Sequence, residues 1–183
     1  TTTSITLDDG TQVLLSANSR LEYSKSFSAD KREVKLVGEA RFNVAKDAER
    51  PFIVHTRQLQ TQVLGTVFDV KAYPQTPADV TLYEGKVEVS LNGDAPQLMQ
   101  PGEQAFLDKE GKLQLAKASE ETGKWAEGEF AFDNRDLKSV MQEIGSWYNI
   151  SVVFHSRPLL EERIYFRMER VKEVKGVLQV LND

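Results

Sequence analysis

The residues able to do chemistry are few and poorly placed for it. The chain has 2 histidines and no cysteine, which excludes a disulfide, a thiolate metal site and a cysteine nucleophile. His55 and His155 stand 100 positions apart, and neither has the His-x-x-x-His or His-Glu spacing that sets two ligands on one face. Both read as surface or structural histidines, because a ligand needs convergent partners. No Gly-x-Ser-x-Gly turn occurs, and Ser146 after Gly145 falls inside a helical pattern, so serine hydrolysis fails. Carboxylate pairs occur at Asp8-Asp9, Glu120-Glu121, Glu127/Glu129 and Glu161-Glu162. Adjacent carboxylates in turns point apart and are solvated, and none of these sits among the aromatics of a dry pocket. Gly38, Gly65, Gly85 and Gly102 never form a Gly-x-Gly-x-x-Gly phosphate cradle, and each suits a bulge or corner in or beside a strand. We read no catalytic residue, no metal and no cofactor.

Binding residues are easier to find. Trp147-Tyr148 at a helix end fits either a partner-binding hot spot or core packing under an adjacent sheet, and both readings stay open. Nucleic acid is excluded as a partner by charge: 14 basic residues stand against 16 acidic up to Ala118, and 9 against 12 beyond it. Arg163, Arg167 and Arg170 come nearest to a basic patch, but they alternate through a strand beside Glu169 and read as its solvated face. No run approaches the roughly 20 apolar residues of a membrane span, so this portion has no direct membrane contact. Thr1-Thr2-Thr3-Ser4-Ile5 is already strand-like, from which we expect an excised part of a longer protein with an anchor upstream.

The elements that must hold these residues are mostly strands. Val34, Leu36, Gly38, Ala40, Phe42 and Val44 share one face, while Lys35, Glu39, Arg41 and Asn43 share the other, the period of two of a half-buried strand. Pro51 restarts an extended run with Phe52, Val54 and Thr56 inward, and Val63 to Ala72 continues with Leu64, Phe68 and Val70 inward. Asp8-Asp9-Gly10 between apolar triplets predicts an N-terminal hairpin, and Glu84-Gly85 a turn between two further strands. About ten short antiparallel strands with turns every 8 to 12 residues predict a mainly β domain over 1–118, a sandwich or solenoid-like unit.

Composition and period both change after Ala116. A polar connector carrying Trp125 leads to Phe130 and Phe132, and then Leu137, Val140, Met141, Ile144, Trp147 and Tyr148 recur at helical spacing behind Asn134 or Asp136 as N-cap. Ile150, Val152 and Phe154 alternate as a strand; Ile164, Phe166 and Met168 form another, and Val174, Val177, Leu178 and Leu181 a second helix. Residues 119–183 are therefore expected to form a linker and a small α+β domain, βαβ followed by βα, whose last strand would begin where the sequence stops.

These pieces resemble the FecR family of anti-sigma regulators. The resemblance is carried by Asp9-Gly10-Thr11, Val13 to Ser19, Gly38-Glu39-Ala40-Arg41-Phe42-Asn43-Val44, Pro51 to Thr56, Val63 to Val70, Glu84 to Val89 and Pro101 to Ala105. Each is weak alone, but their order and spacing are specific. The second unit is similar to the STN-like domain that follows FecR in Bacteroides-type members, through Trp125, Gly128, Phe130, Phe132, Leu137, Trp147-Tyr148-Asn149 and Phe154. The resemblance implies a periplasmic sensor, part of a single-pass inner-membrane protein, without catalysis. Its partner would be the signalling domain of a TonB-dependent transporter, and the extracytoplasmic-function sigma factor would be bound by an N-terminal cytoplasmic region not in this sequence. We expect docking on a strand edge of the second unit, with Tyr165 and Arg167 facing outward and Trp147 and Tyr148 as further candidates. A non-catalytic glycan-binding β module is the alternative, and a glycosidase with two carboxylates in one cleft the third.

Overall fold

The longest alternating run of the sequence becomes its longest strand, Arg32–Asn43. The computed structural model describes residues 2–74, 76–91, 93–171 and 173–181, which group into a larger unit over 2–118 and a smaller one from Ser119 onward. The larger unit holds β1 (Thr3–Thr6), β2 (Gln12–Leu15), β3 (Arg20–Tyr23), β4 (Arg32–Asn43), β5 (Phe52–His55), β6 (Leu59–Val63), β7 (Val67–Ala72), β8 (Asp79–Glu84), β9 (Val87–Leu91), β10 (Gln97–Met99), β11 (Glu103–Leu107) and β12 (Leu113–Lys117). They form one sheet of order β10-β9-β6-β5-β4-β7-β8-β11-β12, with β3 and the β1-β2 hairpin added along β4.

The sheet has two halves because β4 belongs to both. Its first residues pair with β3 and β5, and its last with β2 and β7. The inward side chains of both halves meet in one core, where the Phe42 ring stacks on Phe68 at 5.2 Å and lies 5.9 Å from Phe52. Burial of each such ring contributes about 1.5–3 kcal/mol. The mainly β expectation holds, as a near-barrel of two halves. Its strands are not all antiparallel, since β4 and β5 run parallel across the 44–51 connection.

The change of half happens at Gly38, whose φ of +105° favours glycine, and where a Cβ would lie 2.2 Å from Ser19 Oγ. Gly85 is the second such point, with φ +96° between β8 and β9. The Glu84-Gly85 turn therefore joins two strands that are not neighbours: β8 pairs with β7 and β11, β9 with β6 and β10. Gly65 likewise sits between β6 in one half and β7 in the other. This break corrects the expectation for Leu64, which is 49% exposed, while Val63 points inward in its place.

The smaller unit pairs β13 (Glu129–Asp136) with β14 (Arg163–Glu169) and carries α1 (Leu137–Tyr148), α2 (Val174–Leu181) and two short 3-10 turns, Lys124–Glu127 and Pro158–Glu161. Asp136 is the N-cap of α1, accepting a 2.8 Å bond from the Ser139 amide, and Asn149 ends the helix with φ +56°. Phe130, Phe132, Val140, Ile144 and Val177 are buried together. The strand expected through Ile150, Val152 and Phe154 forms no ladder among the described residues. Its alternation survives only in part: Val152 and Phe154 are half-buried between exposed Ser151, Val153 and His155, but Ile150 is 42% exposed. Among the described residues the small sheet pairs β13 with β14 alone, and a local period cannot supply a ladder partner. The expected closing strand lies outside the described residues.

Candidate partner-binding site

β13 and β14 present an open face. Ile164, Phe166 and Met168 turn inward onto Phe130 and Phe132, so period two sends Arg163, Tyr165, Arg167 and Glu169 outward. Tyr165 is 68% exposed. It stands opposite a bulge between Phe132 and Arg135, where Asn134 takes φ +51° and accepts a 3.0 Å bond from Arg163 Nη1. Arg167 is opposite Ala131 and reaches to Glu129, its Nε 2.9 Å from Oε2. That bond and the carboxylate charge raise the guanidinium pKa still further. The three arginines do not gather into a patch: Arg170 turns the other way, its guanidinium 3.9 Å over the Trp147 ring and 4.7 Å over Phe130.

Trp147 and Tyr148 take the packing role. The Trp147 ring meets Phe130 edge-on at 6.3 Å, and Tyr148 lies 6.2 Å from the same ring. The Tyr148 hydroxyl donates a 2.6 Å bond to the Val171 carbonyl. Desolvation raises its pKa, slightly offset by Arg170. Of the four candidate residues, the structure leaves Tyr165 and Arg167 on the open face and sets Trp147 and Tyr148 behind it.

Several buried polar groups of the larger unit bond to one another, while Arg32 Nη2, Thr61 Oγ1 and Thr81 Oγ1 make no hydrogen bond among the described residues. Arg32 is fully buried and donates through Nη1 to Asp9 Oδ2 at 2.7 Å and to the Ala45 carbonyl at 2.8 Å, and through Nε to the Arg50 carbonyl at 2.9 Å. Asp9 also accepts bonds from the amide and hydroxyl of Thr11. This corrects the expectation of a solvated turn carboxylate: the Asp9 side chain is 5% exposed. Its counter-charge is 23 positions away, so no local pattern could pair them. A second network joins Arg41 to both oxygens of Asp69 at 2.7 and 2.9 Å, with the Tyr83 hydroxyl donating to Asp69 at 2.8 Å and the guanidinium 4.6 Å over the Tyr83 ring. Burial, and then the Asp69 charge, push the Tyr83 pKa far up. His55 Nε2 sits 3.1 Å from Glu33 Oε1 on the outer face. Among the described residues no cluster of His, Asp and Glu could hold a metal ion. An open groove of about 510 Å³ runs between Leu64-Gly65-Thr66, Lys86 and Leu98, with the charges of Lys46, Asp47 and Glu88 along it.

Residues 1–88 match the family described as FecR protein, and residues 129–183 the family described as FecR, C-terminal. Two crystal structures of a protein described as an anti-sigma factor from Parabacteroides distasonis are similar, at 1.65 and 2.50 Å resolution with TM-scores of 0.90 and 0.89. Each is 31% identical and aligns with 100% of this chain and 86% of its own. No curated protein matches the chain. Two matched segments in FecR order, a shared fold and that identity over the whole chain lead to one conclusion: the chain belongs to the FecR family of anti-sigma regulators.

Proposed function

We propose that this chain is the periplasmic sensor portion of a membrane-spanning anti-sigma regulator. It receives a signal from the signalling domain of a TonB-dependent outer-membrane transporter and passes it toward an extracytoplasmic-function sigma factor. The sigma factor is bound by an N-terminal cytoplasmic region outside this sequence. No helix among the described residues is long and apolar enough to cross a membrane. The observation that supports docking in the smaller unit is its two-stranded sheet with Tyr165 open on one face. Sheets of this size are marginal by themselves and accept further strands readily. Tyrosine and arginine are, with tryptophan, the side chains that most often dominate contact energies, and Tyr165 and Arg167 are the ones on the open face, so they are the proposed contacts.

Calorimetric titration of the chain with the transporter signalling domains of its own organism tests this reading. One domain is expected to give saturable binding, weakened by Tyr165→Ala and by Arg167→Ala. Flat heats with every domain overturn it, and saturable binding to an oligosaccharide panel instead favours a glycan module. Unchanged affinity in both variants removes these residues from the contact.

A further inference from the structure

The larger unit leaves few large apolar side chains in water: among the described residues Tyr23, Val37, Leu64 and Leu98 are the exposed ones. Leu64 at 49% and Leu98 at 51% exposure line the same groove of about 510 Å³. The change of sheet halves throws Leu64 out of the core after β6, and period two turns Leu98 out of β10, since its neighbour Met99 is fully buried. The groove is preformed. The Asp47 amide donates to the Leu64 carbonyl at 2.8 Å, the Val44 amide to the Thr66 carbonyl at 3.0 Å, and the Thr66 hydroxyl to the Lys86 carbonyl at 3.0 Å. These bonds tie the 44–51 connection to the β6–β7 and β8–β9 connections. Gly65 belongs to the same fit, because a Cβ there would lie 2.5 Å from Lys46 Cγ.

The charges along the groove do not cancel. Asp47 is spent on Arg50, whose Nε lies 2.8 Å from Oδ2, and its Oδ1 accepts the Glu49 and Arg50 amides. Glu88 accepts a long bond of 3.4 Å from the Gln62 side-chain amide. Among the described residues the ammonium groups of Lys46 and Lys86 have no ion-pair partner. Two unpaired cations and one carboxylate without a cation therefore line an apolar groove, an excess of positive charge. The groove is also open along its length. A small molecule lying in it would keep much of its surface in water, whereas small-molecule sites bury about 70–90% of what they hold. A chain segment that enters at one end and leaves at the other has no such difficulty.

We propose that this groove docks a peptide segment of another protein in which an apolar side chain sits beside a carboxylate. The apolar side chain covers Leu64 and Leu98, and the carboxylate answers Lys46 and Lys86. A basic segment is rejected by the same two ammonium groups, which gives the groove selectivity by charge. All of its residues belong to the larger unit, so docking here needs no contact from Tyr165 or Arg167.

Amide chemical shifts of the whole chain, followed during titration with the peptide acetyl-Gly-Leu-Leu-Glu-Gly-amide, test the proposal. Saturable shifts are expected at Gly65, Gly85 and Leu98, at the millimolar concentrations a short peptide needs, and they weaken as salt rises. Exchanging the peptide's glutamate for glutamine, or altering the chain by Lys86→Glu, lowers the affinity by about fivefold. Leu98→Ser lowers it by about fivefold or more through lost apolar contact. Tyr23→Ser, at an exposed apolar residue outside the groove, leaves it unchanged. The amide spectrum itself checks that each variant is folded. Absence of saturable shifts overturns the proposal, and so do shifts indifferent to the glutamate, to Lys86→Glu and to Leu98→Ser. If decanoate saturates the same amides and the peptide does not, the groove holds a small amphiphile and the peptide assignment falls. None of these outcomes touches the functional reading, which is decided by binding of a signalling domain.

Discussion

Replacing Asp9 by alanine leaves the guanidinium of Arg32 at 0% exposure without its counter-charge. Breaking a buried ion pair from one side costs about 3–5 kcal/mol, because the surviving charge can neither reach water nor find another partner. Arg32 keeps the Ala45 and Arg50 carbonyls, which lessens the loss, but Thr11 loses both bonds it makes to the carboxylate. Asp9→Asn, which keeps an acceptor but no charge, should cost about 1.5–3 kcal/mol. Adding Arg32→Met to Asp9→Ala removes the stranded cation, so the double variant is expected to be more stable than Asp9→Ala alone. Urea unfolding followed by far-UV circular dichroism measures this. Tryptophan fluorescence does not, since the 2 tryptophans, Trp125 and Trp147, both lie in the smaller unit. The pH dependence gives a second check. Burial pushes the Asp9 pKa up, but the Thr11 hydroxyl and amide together with Arg32 outweigh it, and the net shift is below the ordinary 3.8. The folded state therefore holds this proton less tightly than the unfolded chain. The stabilisation is complete above the ordinary value and lost as pH falls through the lowered one, a loss absent from Asp9→Asn. An Asp9→Ala cost under about 1 kcal/mol, or no relief from Arg32→Met, would refute the assignment of Arg32 as a cation that depends on Asp9.

Gly38→Ala should destabilise the larger unit by about 3 kcal/mol, combining an unfavourable positive φ with a clash against Ser19, and an unmoved urea midpoint would contradict this. Tyr83→Phe should cost about 1 kcal/mol for the lost bond to Asp69. Because the folded pKa of Tyr83 is raised, its contribution is intact below the ordinary value of 10.0 and is lost as pH rises above it. The variant should thus show a shallower alkaline loss of stability than the unaltered chain. Asp136→Ala removes the α1 cap and should cost the smaller unit about 1 kcal/mol, read by tryptophan fluorescence. Burial raises the Asp136 pKa, but its two bonds from Ser139 win and lower it, so this contribution also disappears on the acid side and is absent from the variant.

Most of the strand content was legible because burial on one face imprints a period of two. Val34 to Val44 and Phe52 to Thr56 show it plainly, and the inward residues are buried in the structure, although Glu39 and Ile53 on the opposite face are buried as well. The 3.6-residue period made α1 equally clear, with Asp136 among its two candidate caps. Connectivity was less legible. Val63 to Ala72 reads as one strand, but the chain changes sheet halves near Gly65, and Leu64 faces outward. Glu84-Gly85 reads as a turn whether its strands pair with each other or, as here, with strands far along the chain.

The same division holds at the candidate site. The outward direction of Tyr165 and Arg167 follows from the apolar alternation of Ile164, Phe166 and Met168, which is a local property. That Glu129 answers Arg167, and that Trp147 and Tyr148 are occupied by Phe130, Arg170 and the Val171 carbonyl, depends on register and helix docking. By itself the sequence determined which segments alternate, which face of each is apolar, and the order of motifs that marks a FecR chain, because these are written in nearest and next-nearest neighbours. Tertiary structure alone decided which strands become partners, that Asp9 closes on Arg32, and that Val152 and Phe154 belong to no ladder among the described residues. Pairing needs two segments brought side by side, and that information is spread over the whole chain.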